Sequence, residues 1–330
     1  MKTVAFFDAK SYDRESFKRF EDEDINIRFF ENKLNADTVS MAACCDGVCV
    51  FVNDTLDRTV IEKLAEYGVG VIALRCAGYN NVDLKAAAGR VKVVRVPAYS
   101  PYAVAEYTVA LMLSLNRKIP RATWRTRDGN FSLHGLLGFD MYGKTVGIIG
   151  TGKIAKKLIM ILRGFGMNVL AYDLYPDYNF AREHQVVYTT LDELYHSSDI
   201  ISLHCPLTEQ TKYLINDYSI SKMKDGVMII NTGRGQLIHT NALIEGLKNK
   251  KIGSAGLDVY EEEGEYFYED QSDRIIDDDV LARLLSFNNV IVTSHQAFFT
   301  REALENIATT TLQNIKDFAS GKALENEVKI

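Results

Sequence analysis

The sequence predicts an α/β protein made of two doubly wound parallel sheets, and three observations support this. Ten short runs rich in β-branched residues recur along the chain, with room for a helix between successive runs. The runs are apolar nearly throughout, as in parallel strands buried on both faces, and right-handed crossovers then give doubly wound sheets. One open sheet rarely holds ten strands. The length of 330 residues also corresponds to two domains at roughly 150 residues each.

The predicted strands fall into an N-terminal and a middle group, each containing five runs. They occupy residues 4–7, 25–29, 47–52, 69–74 and 91–94, and then 145–149, 168–172, 199–203, 226–230 and 289–292. The sequence also predicts two helices with defined positions. Ser100-Pro101 is typical of an N-cap followed by a first helical residue. Residues 102–117 that follow are apolar on more than one face, which indicates a buried helix: a dimer contact or a core helix between domains. Residues 302–318 show helical spacing close to the end of the chain.

Composition excludes several classes of protein. Hydrophobic residues make up 47% and charged residues 25%, and 38 basic against 44 acidic residues give a net charge of −6. A disordered chain is therefore excluded. The chain also lacks the surplus of basic residues that is typical of proteins binding nucleic acid or an acidic membrane. We expect no transmembrane segment and no secretory signal. The five cysteines lack the spacing of a zinc site, so we expect no metal, reduced thiols and a cytoplasmic location.

The clearest motif is Gly150-Thr151-Gly152-Lys153-Ile154-Ala155, between a predicted strand and a helix-like stretch. Gly150 permits a sharp turn, and Gly152 lets main-chain N–H groups approach a pyrophosphate at the positive end of a helix. The next predicted strand ends at Asp173, whose carboxylate can accept ribose hydroxyls and would repel a 2′-phosphate. The order strand, glycines, helix and acid predicts a dinucleotide site that prefers NAD to NADP.

Two further signals follow predicted strands, where open α/β sheets bind ligands. Arg234 lies between Gly233 and Gly235 after the strand at 226–230, and its guanidinium could grip both oxygens of a carboxylate. By itself it could equally be a surface arginine. His295 follows the strand at 289–292 and is either an acid/base group or a hydrogen-bonded polar residue without catalytic use. The acidic stretch 261–279 is mostly typical of a solvated loop.

Taken together, these motifs resemble the D-2-hydroxyacid dehydrogenase family, and within it the bacterial fermentative branch that acts on lactate with NAD. The matching stretches keep the family's order and cover most of the chain from Arg75 onward: VPAYSPYAVAEYTVALMLSLNRKI, RTRDGNFSLHGLLGFDMYGKTVGIIGTGKI, ISLHCPLT, NTGRGQLI, GLDVYEEE and TSHQAFFT. The resemblance implies two Rossmann-like domains, one flavodoxin-like and substrate-binding and one NAD-binding, with a cleft between them. It places residues 1–99 and 299–330 in the substrate domain and residues 100–298 in the NAD-binding domain.

The resemblance also implies the site. Arg234 would bind the substrate carboxylate and polarise the keto oxygen, and His295 would exchange a proton with that oxygen. Counting five residues from Asp258 places the family's acid at Glu263, which would stabilise the imidazolium. The implied substrate-binding residues are Ala77, Gly78, Tyr99 and Phe298. The implied cofactor-binding residues are Gly150, Gly152, Lys153, Ile154, Asp173, Cys205, Pro206, Thr211, Thr232, Gly233 and Asp258.

The implied reaction is the reversible reduction of pyruvate to D-lactate, in a homodimer or higher homo-oligomer. Cys205 and Thr211 differ from the residues some relatives carry, so any cofactor contact there is expected through the backbone or to be weak. Alternatives are a hydroxyisocaproate or phosphoglycerate dehydrogenase of the same family, an NADH-sensing regulatory protein, or a dehydrogenase-like protein without catalytic use. Product handedness rests on the resemblance alone.

Overall fold

The structure is a computed structural model that describes residues 2–20, 23–262 and 266–329. The chain divides into two compact units. Unit 1 consists of Met1–Ser100 and Phe299–Ile330, and unit 2 of Pro101–Phe298. Each unit is a parallel sheet with helices, as the sequence predicts, and the two-sheet α/β prediction is confirmed.

Unit 1 has a five-stranded sheet in the order β2-β1-β3-β4-β5, with every pair parallel. Its strands are β1 (Lys2–Phe6), β2 (Ile25–Phe29), β3 (Gly47–Val50), β4 (Val71–Leu74) and β5 (Lys92–Arg95). Its helices are α1 (Ser11–Lys18), α2 (Arg58–Glu66), α3 (Leu84–Ala87) and α12 (Arg301–Ala319), with a 3-10 turn at Val39–Ala42.

The C-terminal helix α12 belongs to unit 1 because its apolar face completes the core of that unit. Ala308, Leu312 and Ile315 are buried against strand residues such as Val4 and Val71. The helix begins where Thr300 accepts a hydrogen bond from the amide of Ala303. Such a cap is typical of Thr and contributes about 1 kcal/mol.

Unit 2 has a seven-stranded parallel sheet in the order β12-β11-β10-β9-β6-β7-β8. Its strands are β6 (Thr145–Ile149), β7 (Asn168–Tyr172), β8 (Val186–Tyr188), β9 (Ile200–Leu203), β10 (Val227–Asn231), β11 (Ile252–Leu257) and β12 (Val290–Val292). Its helices are α4 (Pro101–Arg117), α5 (Ile119–Arg127), α6 (Lys153–Gly164), α7 (Tyr178–His184), α8 (Leu191–Ser197), α9 (Asp217–Lys222), α10 (Thr240–Lys248) and α11 (Asp279–Leu285), with a 3-10 turn at Gly235–Leu237.

All ten predicted runs contain strands, and two strands went unpredicted. The first, β8, has three residues at the sheet edge. The second, β11, reads Ile-Gly-Ser-Ala-Gly-Leu, and its glycines hide the apolar pattern. A Cβ on Gly253 would lie 2.3 Å from the carbonyl oxygen of Gly226, so close backbone packing requires the glycine that obscures the strand.

Helix α4 begins at Pro101, as predicted, and is buried in the core of unit 2. Ala105, Val109, Met112 and Leu115 pack with strand residues of β6 and β10 and with α6. These side chains are used within the core of unit 2, whereas Tyr102 is exposed and Tyr107 and Leu113 are half-buried. The expectation that α4 contacts a second subunit stays a prediction.

Candidate active site

The Gly150 turn carries the first group of predicted residues. Gly150 has φ +91°, and a Cβ there would lie 2.6 Å from the amide nitrogen of Cys205, so only glycine fits. Gly152 is the N-cap of α6 and receives no side-chain cap. A Cβ on Gly152 would meet no heavy atom of the described residues within 4 Å, so the space beside this helix end is open as far as they show. Lys153 is exposed and Ile154 half-buried beside it. No neighbouring group among these residues requires glycine at position 152. A glycine at the positive end of a helix instead leaves room for a pyrophosphate to approach the main-chain N–H groups.

Asp173 follows β7 and is held close to the same turn. Its Oδ2 accepts hydrogen bonds from the Thr151 amide at 2.5 Å and the Thr151 hydroxyl at 2.9 Å, and its Oδ1 accepts one from the Tyr175 amide at 2.8 Å. Burial acts to raise the pKa of Asp173, but these hydrogen bonds outweigh it and lower the pKa overall. The carboxylate is therefore ionised and oriented, and a carboxylate has acceptor capacity left for a ribose hydroxyl.

The loop after β9 contains three of the predicted cofactor residues. Burial raises the pKa of the Cys205 thiol to about 11, so this side chain is neutral. Pro206 is exposed, and its carbonyl accepts the Thr211 hydroxyl at 2.6 Å. Thr208 also donates its amide to the Thr211 hydroxyl. The Thr211 side chain thus closes its own loop, which limits any side-chain contact to a ligand.

The Arg234 loop follows β10 and is shaped by a short network of hydrogen bonds. The Asn231 side chain accepts from the Gly233 amide at 3.0 Å and donates to the Arg234 carbonyl at 2.8 Å. Thr232 is buried, and its hydroxyl lies 3.1 Å from that of Thr108. A Cβ on Gly235 would lie 1.9 Å from the carbonyl oxygen of Tyr260, so the loop requires glycine to pass the end of β11.

The Arg234 side chain is half-buried and largely available to a ligand. Within the described part of the chain, its guanidinium makes one hydrogen bond, from Nη1 to the Gly233 carbonyl at 2.8 Å. A guanidinium has five N–H donors. Enough remain to take a carboxylate in a two-pronged grip.

His295 follows β12 and has a left-handed backbone, with φ +53°. This conformation is uncommon for a residue with a side chain. Asp258, which follows β11, holds it in place. The His295 amide donates to the Asp258 carbonyl at 2.8 Å. The Asp258 carboxylate accepts hydrogen bonds from the Gln296 amide at 2.9 Å, the Ala297 amide at 2.8 Å and the Thr293 hydroxyl at 2.7 Å.

Asp258 is fully buried, and burial raises its pKa although the three hydrogen bonds oppose that shift. Asp258 stays a predicted cofactor-binding residue, and its carboxylate is also engaged with residues 293–297. Nothing in the sequence pattern indicates this contact, because it joins residues 35 or more positions apart.

Sheet order brings Arg234 and His295 to the same edge. Strands β10, β11 and β12 are consecutive neighbours, and each ends just before a functional candidate. The Asp258 amide donates to the Asn231 carbonyl, and the Thr293 amide donates to the Leu257 carbonyl, so the three strand ends are level. Strands two apart lie roughly 10 Å from each other. Two long polar side chains from such positions can reach one small ligand.

Glu263 lies outside the described residues, and its assignment stays a prediction. Its neighbour Glu261 is already engaged: it accepts hydrogen bonds from the Thr240 amide at 3.0 Å and the Thr240 hydroxyl at 2.5 Å, at the start of α10. It also pairs with the Tyr213 hydroxyl, whose pKa it raises. Glu261 therefore has a structural role at the start of α10. The prediction that the family's acid is Glu263 rather than Glu261 is compatible with this contact.

The remaining substrate-binding candidates are Ala77, Gly78 and Tyr99 in unit 1 and Phe298 in unit 2. Carbonyls of the 77–78 loop are occupied: Arg95 donates to Ala77 at 2.8 Å, and the Cys76 thiol to Gly78 at 3.2 Å. The Tyr99 carbonyl accepts from the Asn306 side chain at 2.9 Å. Phe298 is 8% exposed.

Among residues 2–20, 23–262 and 266–329, no cluster of three or more His, Cys, Asp or Glu side chains is suited to a metal ion. None of the helices in the same ranges has the length and apolar character required to cross a membrane.

Comparison with known proteins identifies the class that this fold and site define. A family model described as "D-isomer specific 2-hydroxyacid dehydrogenase, NAD binding domain" matches residues 109–297. The chain belongs to this family of NAD-dependent oxidoreductases. It is 54% identical to a "2-hydroxyacid dehydrogenase homolog" of Haemophilus influenzae over 327 residues, covering 98% of each chain.

Two further comparisons concern Escherichia coli. The chain is 51% identical to the "D-lactate dehydrogenase" of that organism over 327 residues, covering 98% of this chain and 99% of the relative. The apo structure of the E. coli D-lactate dehydrogenase matches with a TM-score of 0.90 and 49% identity, covering 99% of this chain and 100% of the other. The predicted family and the predicted NAD cofactor are confirmed.

Proposed function

We propose that this protein is an NAD-dependent D-lactate dehydrogenase that reversibly reduces pyruvate to D-lactate. The observation that carries the proposal is the nearly full-length match to a D-lactate dehydrogenase, at 51% identity. The chain also holds Arg234 and His295 at level ends of β10 and β12, so it has the groups such a reaction requires.

Arg234 binds the substrate. Its free N–H donors grip the carboxylate of pyruvate, and its positive charge opposes the negative charge that develops on the keto oxygen. Such a charge acts more strongly on the transition state than on the ground state, which is how binding becomes rate acceleration.

His295 handles the proton. Its imidazole gives a proton to the keto oxygen during reduction and takes it back during oxidation. The Asp258 contacts fix the backbone of His295, so the imidazole is oriented before substrate binds. Glu263, five residues after Asp258, is proposed to stabilise the imidazolium.

NAD supplies the hydride chemistry when bound. The open helix end at Gly152 and the oriented carboxylate of Asp173 are the residues that would hold its pyrophosphate and adenosine ribose. Residues Gly150, Lys153, Ile154, Cys205, Pro206, Thr211, Thr232 and Gly233 remain the other proposed contacts, with Thr211 acting through the shape of its loop. Asp258 is proposed both to contact the cofactor and to position His295.

The substrate is proposed to be small because Tyr99 and Phe298 are bulky. The decisive experiment measures NADH oxidation with pyruvate beside 2-ketobutyrate and 2-ketoisocaproate, followed by chiral analysis of the product. We expect the highest kcat/KM with pyruvate and D-lactate as product. A preference for 2-ketoisocaproate would instead support the hydroxyisocaproate alternative. NADH binding without turnover of any 2-keto acid would support a regulatory protein.

We also propose that the protein forms a homodimer through the segment from α5 to Tyr142. This segment exposes apolar side chains that a monomer would normally bury: Trp124 is 66% exposed, Phe131 76%, Leu133 82% and Leu137 88%. Large exposed apolar side chains concentrated in one segment of the chain are typical of a protein interface. Light scattering should give a dimer for the wild type and a monomer for the variant Phe131→Asp/Leu133→Asp.

We also propose that the protein acts in fermentation and in the cytoplasm. Pyruvate reduction regenerates NAD from NADH, which is the redox balance that fermentation requires. The five cysteines are all free thiols, which is consistent with a reducing compartment.

A further inference from the structure

The acidic segment 261–279 contacts the loop that carries His295, and this contact has no part in the function proposed above. The Tyr268 hydroxyl donates a hydrogen bond to the His295 carbonyl at 3.0 Å. The tyrosine ring also lies against the imidazole, with ring centroids 5.9 Å apart and planes 33° apart. One side chain thus contacts both the backbone and the ring of the proposed proton donor.

The hydrogen bonds fix one particular peptide group. In the peptide that joins His295 to Gln296, the carbonyl accepts from Tyr268, while the N–H donates to the Asp258 carboxylate. The plane of this peptide is therefore held from both sides. Because His295 has φ +53°, releasing either side would let the backbone relax toward a commoner conformation and would move the imidazole.

Tyr268 is itself mounted firmly. Its φ of +69° is also left-handed, and its neighbours anchor the chain around it. Phe267 is 5% exposed and packs in the core of unit 2. The Tyr266 hydroxyl accepts a hydrogen bond from the Asp278 amide at 3.1 Å, and Asp278 caps α11. The segment 266–268 is thus tied to the core and to a helix.

We propose that Tyr268 is a positioning residue for the proton-transfer step, acting through His295. The proposal rests on the function proposed above. Its hydroxyl sets the orientation of the His295–Gln296 peptide, and its ring limits the rotation of the imidazole. The acidic segment is therefore more than a solvated loop, because it supports the catalytic histidine from the side opposite Asp258.

The test compares Tyr268→Phe, which loses only the hydroxyl, with Tyr268→Leu, which loses the hydroxyl and the ring. The loss of one hydrogen bond that supports the transition state corresponds to about a three- to tenfold fall in rate. We expect kcat for Tyr268→Phe to fall by about that factor, while the KM for NADH and the midpoint of thermal unfolding stay as in wild type. Loss of the ring as well should lower kcat further, to about thirtyfold below wild type. The solvent deuterium isotope effect on kcat should increase in both variants, since proton transfer becomes slower relative to other steps.

Tyr266→Phe is the matched control, because it removes a hydroxyl from the same segment without a described contact to His295. Because Phe267 still anchors the segment in the core, Tyr266→Phe should lower kcat much less than Tyr268→Phe and leave the isotope effect unchanged. An equal loss of kcat in Tyr266→Phe and Tyr268→Phe would overturn the proposal in favour of a general effect on the segment. Wild-type kcat and isotope effect in Tyr268→Phe would overturn it as well. The substrate is first identified with wild type on the panel of 2-keto acids, so failure of the proposed function is seen separately.

Discussion

Each unit places an arginine after a strand of its parallel sheet, and the two arginines differ in what surrounds them. Arg75, directly after β4, is 2% exposed. Its guanidinium donates to the carbonyls of Phe7 and Asp8 and lies 3.3 Å from Asp13. Arg234, three residues after β10, is half-buried and, among the described residues, donates to a single carbonyl. An arginine whose donors are filled stabilises the fold, whereas one with free donors can bind a ligand.

The aromatic surroundings strengthen the contrast. The Arg75 guanidinium lies 4.6 Å from the ring centroids of both Phe6 and Phe51, so it is enclosed as well as hydrogen-bonded. A buried charge of this kind is costly unless every partner is in place. The surroundings, and not the residue type or its place after a strand, distinguish structural from functional charge.

The largest expected effect is on stability, from Arg75→Met. Removing the guanidinium leaves the Asp13 carboxylate buried without its charged partner, so the free energy of unfolding should fall by about 3–5 kcal/mol in urea titrations. Exposed Arg90→Met in the same unit is the control and should change it by less than about 0.5 kcal/mol. Adding Asp13→Leu to Arg75→Met should recover part of the loss. A single-variant loss below about 1 kcal/mol would contradict the structural role of Arg75.

The next largest effect is on catalysis, from Arg234→Lys. Lysine keeps the charge but loses the two-pronged grip, so kcat/KM for pyruvate should fall about 30- to 1,000-fold, or about 2–4 kcal/mol. The free energy of unfolding should stay within about 0.5 kcal/mol of wild type. The exposed Arg182→Lys serves as the control. Kinetics within threefold of wild type would remove Arg234 from the proposed role.

The third effect concerns acid, which acts in opposite directions on one buried group in each unit. Burial lowers the pKa of His204 in unit 2 to about 4, so this histidine is neutral in the folded protein. Its contribution to stability is full above pH 6.5 and is lost as the pH falls toward 4, at about 1.4 kcal/mol per pH unit. Burial raises the pKa of Asp54 in unit 1 to about 6, so its contribution is present below pH 3.8 and lost as the pH rises through 6.

Unfolding measured between pH 7 and pH 4 checks this difference. Amide hydrogen exchange should show unit 2 losing protection first as the pH falls. His204→Gln removes the titrating group and should flatten the acid dependence of unit 2. Equal acid sensitivity of wild type and variant would show that His204 is not responsible.

The smallest effect is on cofactor choice, from Asp173→Asn. Removing the negative charge should raise the ratio of NADPH to NADH use about tenfold, or about 1.4 kcal/mol, because repulsion of a 2′-phosphate is lost. Asp177→Asn is the matched control, because Asp177 lies near Asp173 in the chain but pairs with Lys156. An unchanged ratio in Asp173→Asn would dismiss the ribose contact.

Much of the fold and part of the site could be predicted from the sequence. Apolar runs predicted ten strands because burial on both faces leaves a continuous hydrophobic pattern. Gly150 was predictable because a turn with φ +91° admits only glycine. Strand β11 was missed because its glycines serve contacts with residues far away in the chain, such as Gly226.

The sequence by itself determined the fold class, the family and the residue types available for chemistry, since these follow from local patterns and ordered motifs. Only the tertiary structure decided how each polar group is used. Asp258 supports the His295 loop, Glu261 accepts a hydrogen bond from the first residue of α10, and Tyr268 contacts His295. The physical reason is that a hydrogen bond depends on the position of its partner in space, and strand order brings together residues that the sequence separates.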